Sequence, residues 1–194
     1  MFHWAQIDNR RGDCSDDAVE QCLLAIKKQD LNALEELYYR TGASVFGFAL
    51  STLKNAQDAE DVMHDLYVAV WSGAGKYCAE GRPMAWILTI TRNLCLQKYR
   101  EYQKRSDIPQ EDWESYIESN PNMSPEDRLI LAECMGRLSD QERQIVVLHA
   151  AAGFRHREIA KLLDLPLSTV LSKYNRALKK LRNFMEESKE DERG

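Results

Sequence analysis

No stretch of this chain is apolar for long enough to cross a bilayer, and the opening residues MFHWAQIDNRRGDC lack the apolar core of a secretory signal. The expectation is a cytoplasmic protein with no membrane insertion. Glycine and proline are scarce, nine and five in 194 residues, and few stretches alternate apolar with polar residues, which leaves little from which to build a sheet. The five cysteines, Cys14, Cys22, Cys78, Cys95 and Cys134, contain no CxxC pair and one must be left over. That is a poor framework for disulfides or for zinc, so a reducing compartment and no metal or other cofactor are expected. Basic excess is missing too. At a net charge of -5 the chain cannot coat nucleic acid indiscriminately, so any such binding must come from a local patch.

Apolar residues make up 44% of the sequence, enough for one or two modest helical cores, and they recur mainly at spacings of three and four. Leu31, Leu34, Leu37 and Tyr38 form one such stripe, which Val45, Phe46, Ala49, Leu50 and Leu53 continue past Gly42. A second helix is expected to open at Asp58, with acids in its first turn and Val62, Leu66 and Trp71 behind them. Three glycines and a proline make 72–83 a loop. From Met84 a helix with Trp86, Ile87, Ile90 and Leu94 on one face leads to the basic exit KYREYQKR. The composition then shifts: from Ser106 to Asp127 there are seven acids, no Lys or Arg, and three prolines, the signature of an extended acidic linker. About four short helices follow, separated at Ser139, Gly153 and Asp164 to Pro166, with a charged, frayed tail EESKEDERG. The fold class expected is all-α: two small helical domains joined by an acidic linker.

The local patch lies near the end. From Gly153 to Met185 eight bases stand against two acids, a local net of +6 within an acidic chain. Plotted at 100° per residue, LSTVLSKYNRALKKLR places Leu167, Val170, Leu171, Tyr174, Ala177, Leu178 and Leu181 on one side. Ser168, Thr169, Ser172, Lys173, Arg176, Lys179 and Lys180 occupy the other. Upstream, REIAKLL is a short helix with Ile159, Leu162 and Leu163 apolar and Ala160 small enough for a close crossing. The link Asp164-Leu165-Pro166 suits a tight turn, because Asp tolerates the left-handed conformation and Pro166 suits the entry to a helix. Two helices so joined, the second anchored by one face and polar and cationic on the other, are a helix-turn-helix. Its first polar residues would reach base edges, whereas Lys179, Lys180 and Arg182 would lie along phosphates.

At this point the sequence resembles a bacterial sigma factor of the extracytoplasmic-function class, the smallest members of the sigma-70 family. EIAKLLDLPLSTVLSKYNRALKKLR is similar to the helix-turn-helix that reads the minus-thirty-five element. DAEDVMHDLYVAVW and MAWILTITRNLCLQKYR resemble the polymerase-binding helix and the minus-ten helix. The resemblance implies a domain at 18–105 that binds core polymerase and the minus-ten element, a linker at 106–124, and a minus-thirty-five domain at 125–185. It also implies that the linker threads the polymerase channel later used by RNA, and that an anti-sigma protein holds the free chain. Asp164 departs from the family's usual glycine, Leu171 stands at a frequently basic position, and Gln97 replaces a frequent aspartate.

Candidate roles follow residue by residue. Asp58, Glu60, Asp61 and Asp65 crowd one helix; capping and the helix dipole explain the first-turn acids but not Asp65, two turns in. By resemblance Asp58, Asp61, Val62, Asp65 and Leu66 bind the polymerase core. The resemblance implies that the glycine-rich loop captures an unpaired base of the non-template strand, which needs stacking surfaces and cations; Lys76, Tyr77, Arg82 and Trp86 supply the types, with Tyr77 equally able to pack into the domain and Trp86 assigned to the core. Arg92, Asn93, Gln97, Lys98 and Arg100 are the polar positions of the helix that resembles the minus-ten reader. A conventional helix-turn-helix regulator with its own operator is the alternative binding reading. A metal-dependent phosphohydrolase is the enzymatic one, suggested by His64-Asp65 but short of further His and Asp ligands. The GxxxxGK[ST] spacing of a phosphate-cradling loop is absent, and no catalytic residue is expected.

Overall fold

A computed structural model describes residues 16–79, 81–105 and 124–191. All the regular elements among them are helices. The chain divides into two compact units. The first comprises α1 (Asp16–Ile26), α2 (Leu31–Leu53), α3 (Ala56–Gly73), a single 3-10 turn (Ala74–Lys76) and α4 (Pro83–Arg105). The second comprises α5 (Pro125–Gly136), α6 (Asp140–Ala150), α7 (His156–Leu163) and α8 (Leu167–Asp191). Of the expected linker at 106–124, residues 106–123 lie outside the described residues, and Ser124 is the N-cap of α5, its hydroxyl accepting from the Asp127 amide at 3.1 Å.

In the first unit α2 is the spine. Its 23 residues run unbroken through Gly42, about 34 Å of helix at 1.5 Å per residue. Asp30 caps its start by accepting from the Asn32 amide, and Lys54 ends it in the left-handed conformation. Around it Val19, Leu23 and Ile26 of α1, Leu37, Val45 and Phe48 of α2, Ala59, Val62, Leu66 and Val70 of α3, and Ile87, Leu88 and Cys95 of α4 form the core. Three hydroxyls that α2 buries are satisfied on its own carbonyls: Thr41 donates to Leu37 O at 2.7 Å, Ser51 to Phe48 O at 2.7 Å and Thr52 to Phe48 O at 2.9 Å.

Several sequence expectations are corrected here. Asn55, not Asp58, caps α3: its side chain accepts from the Asp58 amide, which places Asp58 in the first turn. The buried seam of α4 runs through Met84, Ile87, Leu88, Thr91 and Cys95, leaving Trp86, Ile90 and Leu94 half-buried, because α4 packs against α1, α2 and α3 at once. The last helix is 25 residues long and does not end before the tail.

In the second unit Ile145, Leu148, Ile159, Val170 and Ala177 are fully buried. Val170, Ala177 and Phe184, seven apart, make the inward seam of α8, while Leu171, Leu178 and Met185 stay 39–53% exposed. The sequence plot had counted Leu171 and Leu178 with the anchored side. Arg143 is buried and closes the end of α5, donating from Nε to Met135 O at 3.1 Å and from Nη2 to Leu138 O at 3.0 Å.

Candidate nucleic-acid interface

The turn between α7 and α8 takes the form the sequence predicts. Asp164 has φ 55 and ψ 48, and the Leu165 amide donates to Ala160 O at 2.9 Å. This is a Schellman ending, in which a left-handed residue lets the chain satisfy the last carbonyls of α7 and leave sharply. The following Pro166 O accepts from the Thr169 amide at 3.0 Å and starts α8. With Val170 and Ala177 buried, Ser168, Ser172, Arg176 and Lys179 are exposed, and Thr169 and Lys173 sit half-buried at the edge of the same face.

Lys180 departs from that set. Its ammonium lies 2.7 Å from Glu142 Oε2 and 3.4 Å from the Arg137 carbonyl. Glu142 is buried at the start of α6, where it also accepts from the Ser139 amide. Burial alone would raise its carboxyl, but the Lys180 ammonium and the Ser139 donors outweigh it and hold Glu142 below the usual carboxylate range. Lys180 therefore anchors α8 to α6 in this structure instead of standing free for phosphate.

In the same unit, His149 and His156 stack at 4.6 Å between ring centroids and both meet the Tyr174 ring edge-on. His149 Nδ1 bonds the Phe154 carbonyl at 2.8 Å, whereas His156 Nε2 is buried without a partner. Burial, together with the His149 charge, pushes His156 below the usual histidine range.

In the first unit, Asn93, Gln97 and Arg100 are exposed along one line of α4, and Arg92 is half-buried beside them. Thr89, four residues before Asn93, continues the line toward the loop and is exposed, its hydroxyl donating to Ala85 O at 2.7 Å. Lys76 and Arg82 are exposed on the loop. Tyr77 is not: it is 4% exposed, with its ring 5.2 Å from that of Trp86. Of the two roles left open for Tyr77, the structure places it as a packed side chain, with no face to offer a base.

Lys98 is likewise engaged within the domain. Its ammonium lies 2.9 Å from Asp61 and 3.3 Å from Asp58, and the Tyr102 hydroxyl bonds Asp58 as well. Burial works against the Lys98 charge, but the two carboxylates outweigh it and raise the ammonium above the usual lysine range. The acids of α3 are thus partly neutralised by α4. Along its middle turns α3 shows Asp61, His64, Asp65 and Val68 outward, the last 54% exposed. Val62 and Leu66 point the other way, 1% and 0% exposed; they cannot touch a partner directly, because α3 spends that face on α2 and α4. Val68 is the apolar residue of the outer face, and its position one turn beyond Asp65 was the available signal. Among the described residues no cluster of three or more His, Cys, Asp or Glu could hold a metal.

Comparison with known proteins accounts for both units. Residues 37–105 match the family model "Sigma-70 region 2" and residues 128–181 match "Sigma-70, region 4". The ECF RNA polymerase sigma factor SigK of Mycobacterium ulcerans (strain Agy99) is 28% identical over 179 residues, covering 89% of this chain and 96% of the relative. SigK of Mycobacterium bovis (strain BCG / Pasteur 1173P2) is 27% identical over 177 residues, covering 88% and 95%. Among solved structures, CnrH in complex with the cytosolic domain of CnrY superposes with a TM-score of 0.62 at 22% identity, covering 88% of this chain and 98% of that one. The sigma factor RpoE of Bartonella quintana, in complex with the anti-sigma factor NepR, gives 0.62 at 21% identity, covering 86% and 96%. The fold, the order of the two matched regions and the curated relatives agree: the chain belongs to the sigma-70 family of RNA polymerase sigma factors, in its extracytoplasmic-function class.

Proposed function

We propose that this protein binds RNA polymerase core in the cytoplasm and directs it to promoters, contributing binding energy while the polymerase performs the chemistry. Its two units divide the task. Residues 18–105 grip the core and engage the minus-ten element, and residues 125–185 read the minus-thirty-five element. The observation that supports this most strongly is the occurrence of region 2 and region 4, in that order, within one chain. A conventional operator-binding regulator would need only the second.

On α8 the reading assigns Ser168, Thr169, Ser172, Lys173 and Arg176 to the major groove and Lys179 to phosphate, because these side chains lie on or beside the face that the seam of Val170 and Ala177 leaves open. On the first unit Asn93, Gln97, Arg92, Arg100, Lys76 and Arg82 meet the minus-ten element. The polymerase face is Asp61, Asp65 and Val68, an apolar residue rimmed by carboxylates, suited to a basic helical partner. An anti-sigma protein is the expected regulator of the free chain.

Transcription in vitro with purified core, followed by mapping of start sites, tests the proposal. A sigma factor confers initiation at defined positions on core that otherwise starts nowhere specifically. If core plus this chain starts no better than core alone while the chain still binds a duplex by itself, the operator-binding reading replaces this one.

A further inference from the structure

The loop between α3 and α4 is held by a residue that nothing in the motif pattern marks. Glu20, on α1, accepts two hydrogen bonds through one oxygen: from the Tyr77 hydroxyl at 2.8 Å and from the Gly81 amide at 3.1 Å. The partners are 57 and 61 residues away in sequence. Bonds to a carboxylate are charge-assisted and strong, and these two grip the loop at both ends of a short span. Lys76 immediately precedes the first anchor and Arg82 immediately follows the second, and both cations are exposed.

Gly81 has φ +67, a conformation that side chains rarely adopt, and nothing lies within 4 Å of where its Cβ would stand. Packing therefore constrains the first anchor, where Tyr77 is buried against Trp86, and leaves the second to hydrogen bonding. We infer that Glu20 is a positioning residue for single-strand capture: its carboxylate clasps both ends of the loop and so fixes the separation of the Lys76 and Arg82 cations presented to an unpaired DNA strand. The inference rests on the proposed reading that this loop engages the minus-ten strand. Glu20 acts through the loop and does not itself meet DNA, which its negative charge would repel. A pre-formed loop binds tighter because its ordering is already complete before the strand arrives.

The test uses holoenzyme assembled from core and full-length variants. It measures affinity for a single-stranded minus-ten oligonucleotide with each base of the element replaced in turn by an abasic site. Glu20→Ala should weaken binding about tenfold, equivalent to about 1.4 kcal/mol, and should narrow the ratio between intact and abasic oligonucleotides. Affinity for core should be unchanged. Glu20→Gln keeps an acceptor oxygen and should recover to within about threefold of the parent. A residue serving only stability would lower the melting temperature and spare the base ratio. If Glu20→Ala does not fold, Tyr77→Phe carries the same test, since it keeps the ring against Trp86 and removes one of the two bonds. Paired replacement of Lys76 and Arg82 by Ala separates the two ideas. If that pair weakens capture while Glu20→Ala and Tyr77→Phe bind with base ratios like the parent, the clasp is refuted and the loop's role stands. If neither the cation pair nor Glu20→Ala changes capture, the loop reading falls and the clasp falls with it.

Discussion

Replacing Glu142 by Ala should loosen α8 from α6 without disturbing the first unit. Glu142 is 2% exposed in its side chain and makes two contacts that matter, the ion pair with Lys180 at 2.7 Å and acceptance from the Ser139 amide at 2.9 Å. Breaking a fully buried pair costs about 3–5 kcal/mol, and an exposed pair is worth about 0–1 kcal/mol. Lys180 is 40% exposed and keeps the Arg137 carbonyl at 3.4 Å, which places this pair between those limits, nearer the lower. Adding about 1 kcal/mol for the lost cap gives about 2–3 kcal/mol. Native-state hydrogen exchange on the full-length protein reads that loss as easier opening of α6 and α8 amides, by about thirtyfold or more. Amides of α1 to α4 should keep their protection. Glu142→Gln retains the cap acceptor and should lose less.

The pH dependence has a definite sign. A carboxyl held below its ordinary value of 4.5 stabilises the fold at pH above that value and loses the contribution as pH falls below it. Protection of α8 should therefore decline below about pH 4.5 in the parent, and decline less in Glu142→Gln. Unchanged exchange in Glu142→Ala, or an equal loss in both units, would refute the argument that this pair anchors the reading helix.

His156, held below the ordinary histidine value of 6.5 by burial and by His149, favours folding in its neutral form, so protection of α7 should fall as pH drops through 6.5; His156→Leu should flatten that dependence in the same exchange measurement. Cys95 is buried with its thiol pushed up to about 12, whereas Cys78 is exposed. A maleimide at neutral pH should label Cys78 in the native protein and reach Cys95 only on unfolding, which peptide mapping by mass spectrometry checks. Asp65→Ala should weaken core binding several-fold, chiefly through a slower association rate, with an unchanged melting curve. Arg176→Ala should cost promoter affinity about 1–3 kcal/mol and leave core affinity intact; an equal loss of core affinity would contradict the division of labour between the units.

The recurrence of apolar residues at three and four, the reversal of local charge after Gly153 and the residues of the turn at Asp164 are local properties, and the chain's own periodicity was enough to determine an all-helical protein. The order of the two matched regions is likewise written along the chain. Which of the polar residues are free was decided only by tertiary packing. Lys98 and Lys180 read in sequence like their neighbours, yet each faces a carboxylate 37 to 40 residues away. Val62 and Leu66 share a helix with the acids of α3 but lie on the arc that α2 and α4 cover. Periodicity shows that a helix has an apolar side; it does not say how wide an arc two neighbouring helices will bury. Glu20 is the clearest case, since a half-buried acid on α1 acquires its role from a tyrosine and a glycine amide that approach it only when the four helices close. Pairings of that kind depend on distances between elements, and a linear pattern carries no such distances.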